Sequence, residues 1–526
     1  MAIENIEPPM TSDEHGCDAL PPQRNANPRR FMWTRAERMS WFRLPGRIRV
    51  HLCSSVVRQS VRPVDIASTV AFRIAFGVLM LIAVGRYFAY GWIDQLYVAP
   101  RVYFPYRGLE WIVPLPGAAM YALFGALGLL ALCVTIGLWY RASIAMLCGA
   151  FTYVHLIDRT NYLNHYYLLT LLSGLMVFLP LYRAGSIDAW RRPELRAARV
   201  PAWVVWLLRF QLGVVYVFGA VAKLNPDWLL RAQPLRIWLG ANVDLPILGP
   251  WLEAPSAAYA CSYAGLLFDA TIVPLLLCRR TRSAAYVAVV AFHVLTALLF
   301  PIGMFPWIMI ALTPIFFAPD WPRRWIARRT IRTECVPAAI PLTARRWVAA
   351  SLVGAYGLVQ IALPLRHVLY ADDLYWSESG IRFAWQIMVM EKYGRASFRV
   401  TDPQNGDTWA VSPANMLTPL QVRMMATQPD MIRSFAEYVA ADFHRRGYGR
   451  VEVRGDVYVS LNGRPNQRFV DPHVDLAHLD EPGAPARWIV PLQQRPSGRR
   501  SDGPVLESQS TRGAEPAPPS GKEERS

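Results

Sequence analysis

Apolar residues run almost uninterrupted through about 66–90, 117–139, 142–158, 164–182, 202–224, 256–278, 283–302, 305–318 and 347–365, and polar residues gather between these runs. A helix needs ~20 apolar residues to cross a bilayer core, so the pattern predicts a polytopic α-helical membrane protein. Eight or nine transmembrane helices are expected, the count turning on the short segment that begins at Phe305. Beyond about residue 366 the period changes. ASFRVTD and TWAVSP alternate as strands around the turn-forming PQNGD, and PLQVRMMATQPDMIRSFAEYVAADFHRRG keeps helical spacing until Gly447. VEVRGDVYVSLNGRPNQRFVD then reads as two or three strands with an LNGR turn. The expected layout is a transmembrane domain over 66–366 and a C-terminal β-rich extracytoplasmic domain over 367–493. Residues 1–65 read as a basic, largely disordered cytoplasmic arm, and 494–526, rich in Pro, Ser, Gly and Arg, as a disordered tail.

Composition supports a membrane assignment: 53% of the 526 residues are hydrophobic, and mean hydropathy is +0.19. In a soluble chain the net charge of +17 would suggest nucleic acid, but the arginines follow the membrane pattern instead. Loops at 183–199, 279–282 and 323–346 are strongly basic, as is the N-terminal arm, whereas 91–116, 159–163 and 225–255 are poor in Lys and Arg. Nine spans from a cytoplasmic N-terminus place every basic loop inside and everything after about 366 outside. Seven cysteines are present, none in the C-terminal domain, so no disulfide is expected there, and no Cys/His spacing suggests a metal. The opening MAIENIEPPMTSDEHG has no basic segment leading into an apolar run, so no cleavable signal peptide is expected.

Against this apolar background a few polar groups stand out. Lys223 closes the run from Ala202 to Leu224 and would sit at the membrane rim. There it reads either as an anchor whose stem lets the charge reach water, adding little to stability, or as a partly desolvated amine able to act as a base. Asn164 and His165 open a span on the same side as Lys223, and His293 lies deep in AYVAVVAFHVLTALLF. Either histidine could be a satisfied structural residue or a functional one. Asp269 interrupts SYAGLLFDATIVPLLL, and it reads either as a carboxylate neutralised by a cation, with Arg73 or Arg86 in the first span as the expected partner, or as a catalytic group lining a hydrated cavity. Aromatic residues crowd the outer helix ends, including Tyr87, Tyr106, Tyr162, Tyr166 and Trp228. They serve an interfacial belt or line a pocket for a flat apolar ring reached through the bilayer.

DRTNYLNHYYL at 158–168, AVAKLNPDW at 220–228, FHVLTALLFPIGMFPWIMIALTPIFFAPDW at 292–321, and WSESGIRFAWQIMV with FVDPHVDL in the outer domain occur in one order along the chain. In these residues the sequence resembles the vitamin K-dependent γ-glutamyl carboxylases and their bacterial relatives with the HTTM domain. The resemblance implies a membrane enzyme that couples epoxidation of reduced vitamin K, with O2 and CO2 as co-substrates and no metal, to γ-carboxylation of glutamate. A base deprotonates the hydroquinone, oxygen adds, and the strong base so formed takes a γ-proton from glutamate, whose carbanion captures CO2. Carried over position by position, Lys223 is the initiating base, His165 with Asn164 matches the family's pair near the reacting groups, and His293 matches a functional histidine. The implied partners are a quinol from the lipid bilayer and a glutamate-containing peptide or protein, with no nucleic acid. Animal carboxylases carry two lysines where this chain has Ala222 and Lys223, and an extra asparagine where it has Leu163. Their disulfide to the outer domain is not expected, since Val102 falls near one partner. Two rival readings remain at this point: an epoxidase-only quinol oxygenase, and a non-catalytic transporter or lipid-binding protein of the same fold.

Overall fold

The computed structural model describes residues 62–246, 249–326, 344–370, 372–479 and 487–493. The expected N-terminal arm, apart from its last few residues, and the expected tail lie outside the described residues.

Ten helices position the membrane part: α1 (Ala67–Ala89), α2 (Gly117–Ile136), α3 (Tyr140–Leu156), α4 (Asn164–Phe178), α5 (Ala202–Lys223), α6 (Pro226–Arg231), α7 (Pro255–Leu277), α8 (Arg282–Leu299), α9 (Phe305–Leu312) and α10 (Ala344–Leu365). Among the described residues six helices are long and apolar enough to cross a membrane: α1, α2, α5, α7, α8, and the stretch Ala350–Leu369 that includes most of α10. The runs expected at 142–158 and 164–182 instead form helices of 17 and 15 residues, and the third short one, α9, continues as a 3-10 turn to Phe316. At ~1.5 Å per residue, 15 residues reach well short of a ~30 Å hydrocarbon core. The chain is a multi-pass helical membrane protein, and among the described residues fewer helices have full spanning length than there are raw apolar runs.

Local signals explain where these helices start and stop. The Asp65 carboxylate accepts from the Ala67 N–H at the head of α1 (2.8 Å). α2 ends at Gly137, φ 68°, a left-handed turn that glycine adopts without strain. Short strands β1 (Pro63–Asp65) and β2 (Arg199–Pro201) pair antiparallel and tie the entry of α1 to that of α5. α1 buries Phe72, Phe76, Leu79, Met80 and Tyr87, a helical stripe turned to the bundle core. Near its start Arg73 is fully buried, and its guanidinium donates to the carbonyls of Leu181, Ala184, Thr135 and Gly185. Arg73 therefore caps chain turns and is no partner of Asp269. Arg86 lies over the rings of Tyr90 and Trp92.

The C-terminal domain is a four-stranded antiparallel sheet of order β4-β3-β5-β6, from β3 (Lys392–Thr401), β4 (Thr408–Val411), β5 (Glu452–Leu461) and β6 (Gln467–Arg468). The LNGR turn between β5 and β6 places Asn462 and Gly463 in the left-handed region. Helices α11 (Pro419–Met425) and α12 (Pro429–Arg445) complete the domain, α11 opening on a reciprocal Thr418/Gln421 cap. Phe435, Val439 and Phe443 of α12 pack with the inward residues of β3 and β5. The two parts interlock. Val102 and Phe104, from a loop of the membrane part, lie in this outer core, while Trp385, from the outer segment, is fully buried in the helical core.

Candidate active site

Lys223 is the last residue of α5, and it does not reach for water: it is 6% exposed. Its Nζ donates to Asp269 Oδ2 at 2.7 Å and to the Gly219 carbonyl at 3.3 Å, and it lies 5.2 Å from the centre of the Trp228 ring. Asp269, in mid-α7, is 7% exposed. The expected pairing of Asp269 with Arg73 or Arg86 is thus replaced by a pairing with Lys223, and the anchor reading of Lys223 loses its exposed ammonium. Two glycines make room for the pair. A Cβ on Gly219 would lie 3.0 Å from Asp269 Oδ2, and one on Gly265 would meet Trp228 at 3.6 Å and Lys223 Cε at 3.9 Å.

Trp228 is held over the lysine from both sides. The Asn225 side chain caps α6 by accepting from the Trp228 N–H (2.9 Å), and the indole N–H donates to the Ser262 carbonyl of α7 (2.9 Å). The residue before it, Asp227, accepts two hydrogen bonds from Arg464 (2.7 Å each) and one from Asn462 (2.8 Å), both in the turn after β5. Burial alone would raise the Asp227 carboxyl, but Arg464 and Asn462 hold it below the usual carboxylate range.

His293 on α8 is 2% exposed. Its Nε2 shares a hydrogen bond with Tyr216 Oη (3.0 Å), two turns before Lys223 on α5, and its Nδ1 has no partner among the described residues. Phe268, next to Asp269, and Phe305 enclose the ring, their centroids 6.1 and 5.9 Å away. His165 lies at the start of α4, its ring 4.7 Å from that of Tyr166, and a Cβ on Gly303 would lie 3.9 Å from its Cε1. Asn164 accepts from Tyr162 Oη (3.1 Å) and donates to the Gln386 carbonyl (3.5 Å). Gln386 Oε1 in turn accepts from Tyr375 Oη (3.1 Å), which also donates to the Ala222 carbonyl (2.9 Å). The outer segment 375–386 therefore touches both the head of α4 and the tail of α5, so Asn164, His165 and Lys223 lie at one end of the bundle.

Residues 61–321 match the HTTM domain, and residues 345–495 match the vitamin K-dependent gamma-carboxylase lumenal domain. The chain belongs to the vitamin K-dependent gamma-carboxylase family. Its role is carboxylase-like and dependent on vitamin K, and it is a multi-pass membrane protein with a lumenal-type domain. No solved structure matches it.

The residues fit the aromatic vitamin K group that the family implies. Phe268 and Phe305 lie against the His293 ring and Trp228 lies over Lys223, and His293 Nδ1 is a buried polar atom without a partner among the described residues. Two cavities lie elsewhere: one of about 100 Å³ beside Phe72, Leu312 and Trp321, and a groove of about 490 Å³ between Arg101, Trp409 and Arg446. Sequence reasoning missed Tyr216, Tyr375, Gln386 and Arg464. Tyr216 was one aromatic among many in an apolar run, Tyr375 lies in a helix of one turn (Leu374–Ser377), and Gln386 and Arg464 lie in irregular segments or turns, so none of the three carries a periodic signal.

Proposed function

We propose that the protein oxygenates reduced vitamin K to its epoxide and couples this to γ-carboxylation of glutamate, with Lys223 Nζ as the initiating base. The buried Lys223–Asp269 pair carries this reading. An ammonium in contact with a carboxylate is not itself a base, yet the 2.7 Å contact gives its proton a destination. Passing that proton from Nζ to Asp269 Oδ2 turns the ion pair into two neutral groups and leaves a lone pair on Nζ. Nζ then takes the proton of a bound hydroxyl, and Trp228 and the closing outer segment exclude water from it. Bound reduced vitamin K supplies the oxygen-activating chemistry that generates a base strong enough for a glutamate γ-carbon. In this reading His293 Nδ1 orients a ligand oxygen, its other nitrogen being fixed by Tyr216, while Asn164 and His165 line the approach from α4. The N-terminus is assigned to the cytoplasm and the C-terminal domain to the outside, on the distribution of basic loops.

The test is purified protein in lipid nanodiscs with reduced vitamin K and O2, assayed for epoxide with and without a glutamyl peptide and labelled bicarbonate. Epoxide with label in the peptide is the expected result. Epoxide without label reduces the activity to quinol oxygenation, and absence of both overturns the enzymatic reading.

A further inference from the structure

A second set of buried polar atoms lies outside the Lys223 pair. At the outer end of α3, His155 is 5% exposed, and its Nε2 has no hydrogen-bond partner among the described residues. Its ring stacks on Tyr162 (5.6 Å between centroids, 19° between planes) and meets Tyr166 edge-on at 6.1 Å. Tyr162 meets Phe383 edge-on at 5.1 Å, and Phe383 lies 5.9 Å from Tyr106, whose buried Oη likewise lacks a partner. One continuous wall of rings thus carries two polar atoms to which the described chain offers nothing. Packing alone does not call for them. Phenylalanine at either position would fill similar space and leave no polar atom stripped of water.

This wall adjoins the candidate site. The Tyr162 hydroxyl donates to Asn164 Oδ1 (3.1 Å) and accepts from the Phe383 N–H (2.8 Å), and the Tyr166 ring also meets that of His165, 4.7 Å between centroids. We propose that His155 Nε2 and Tyr106 Oη are hydrogen-bonding anchors for the oxygens of a quinone-type ring bound against Tyr162 and Phe383. This rests on the reading of the protein as one that handles a quinol. The anchor chemistry fits that ligand class in a specific way. A quinol oxygen is a donor when reduced and only an acceptor when oxidised; a neutral imidazole nitrogen and a phenol can each meet either form, by tautomer exchange or by rotation of the hydroxyl. A lysine or an amide carbonyl at the same place could meet only one.

The test measures equilibrium binding of two labelled probes to the full chain in nanodiscs, corrected for partition into empty discs. Menadione carries two ring oxygens, and 2-methylnaphthalene has the same fused carbon skeleton without them. His155→Phe and Tyr106→Phe are each expected to weaken menadione roughly three- to tenfold, the worth of one net hydrogen bond, and to leave 2-methylnaphthalene unchanged. His155→Gln, which restores a polar atom at similar reach, should recover most of the menadione affinity. Unchanged menadione affinity in both phenylalanine variants overturns the proposal, as does an equal loss for both probes, which would mark a packing role. Should His155→Phe fail to fold, Tyr106→Phe, which removes a single oxygen, decides alone. If the unmodified chain binds neither probe, the quinol reading falls and the anchors with it; if it binds menadione and the variants bind equally well, only the anchors fall.

Discussion

Replacing Lys223 by methionine should destabilise the protein strongly, and replacing its partner as well should largely undo the damage. At 2.7 Å the Lys223–Asp269 attraction is ~6 kcal/mol for an effective dielectric of ~20. Burial of each ion costs several kcal/mol, so the pair as a whole contributes little net stability over an apolar replacement. Removing one member is different, because the other is left charged, or forced to change protonation, in a buried position. Lys223→Met and Asp269→Leu should each cost ~3–5 kcal/mol, and the double variant should lie within ~1–2 kcal/mol of the parent. A coupling of several kcal/mol therefore separates this structure from a rim lysine that reaches water, for which Lys223→Met would be nearly silent.

Reversible unfolding in mixed SDS micelles measures all four corners of this cycle. The result that refutes the reasoning is a Lys223→Met cost below ~1 kcal/mol, or two single costs that simply add in the double variant. Lys223→Arg then separates stability from chemistry. Arginine keeps the cation beside Asp269 and should retain much of the fold, yet it stays protonated and should lose epoxide formation by ~10²–10⁴-fold. Full epoxidase activity in the arginine variant would end the base assignment even if the stability cycle behaved as expected.

Arg464→Ala should leave Asp227 poorly paired at the junction of the two parts, costing ~2–4 kcal/mol and raising hydrogen exchange in 224–231 without unfolding the sheet. Because Asp227 is held below the ordinary carboxylate value, its contribution is fully present above pH ~4 and is lost as pH falls through the folded-state value; acid unfolding below that point should be less steep in Asp227→Asn, and an unchanged profile would count against the clasp. Tyr216→Phe removes the hydroxyl that shares a hydrogen bond with His293 Nε2 and leaves the ring without its fixed orientation, so kcat should fall ~10-fold or more with a stability loss of only ~1–3 kcal/mol; unaltered kinetics would make that hydrogen bond purely structural. Reporter fusions placed after residue 366 should be active only outside the cytoplasm, and cytoplasmic activity would reverse the assigned orientation.

How much of this was legible beforehand depends on the range over which each feature is encoded. Spans and strands were readable because each is a local run with its own period, and Lys223, His293 and Asp269 stood out because polar residues are costly in apolar helices. Which polar group met which was not readable. Asp269 and Lys223 are far apart in sequence, and their contact depends on the rotation of α7 against α5, fixed by small residues such as Gly219 and Gly265. Arg73 was the plausible partner by charge, but in the fold it satisfies carbonyls of the turn at 181–185, a demand that no pattern of side chains announces. The outer segment was the least legible part. Glu378, Phe383, Trp385 and Met388 all have positive φ, a conformation disfavoured for such residues, so the stretch has neither helical nor strand period. That backbone is tolerated because it is locked before, within and after the stretch, by Tyr375 on the Ala222 carbonyl, by the Phe383 N–H on Tyr162 and by the Glu391 N–H on Asn462 Oδ1. The surroundings of Lys223 are accordingly built by both parts of the molecule: α7 supplies its counter-charge, and the outer domain, through Arg464 on Asp227 and through Tyr375, fixes the turn that carries Trp228 and closes the tail of α5. A substitution at Arg464, far along the chain in the turn after β5, should therefore register at Lys223 as well as in the sheet it belongs to.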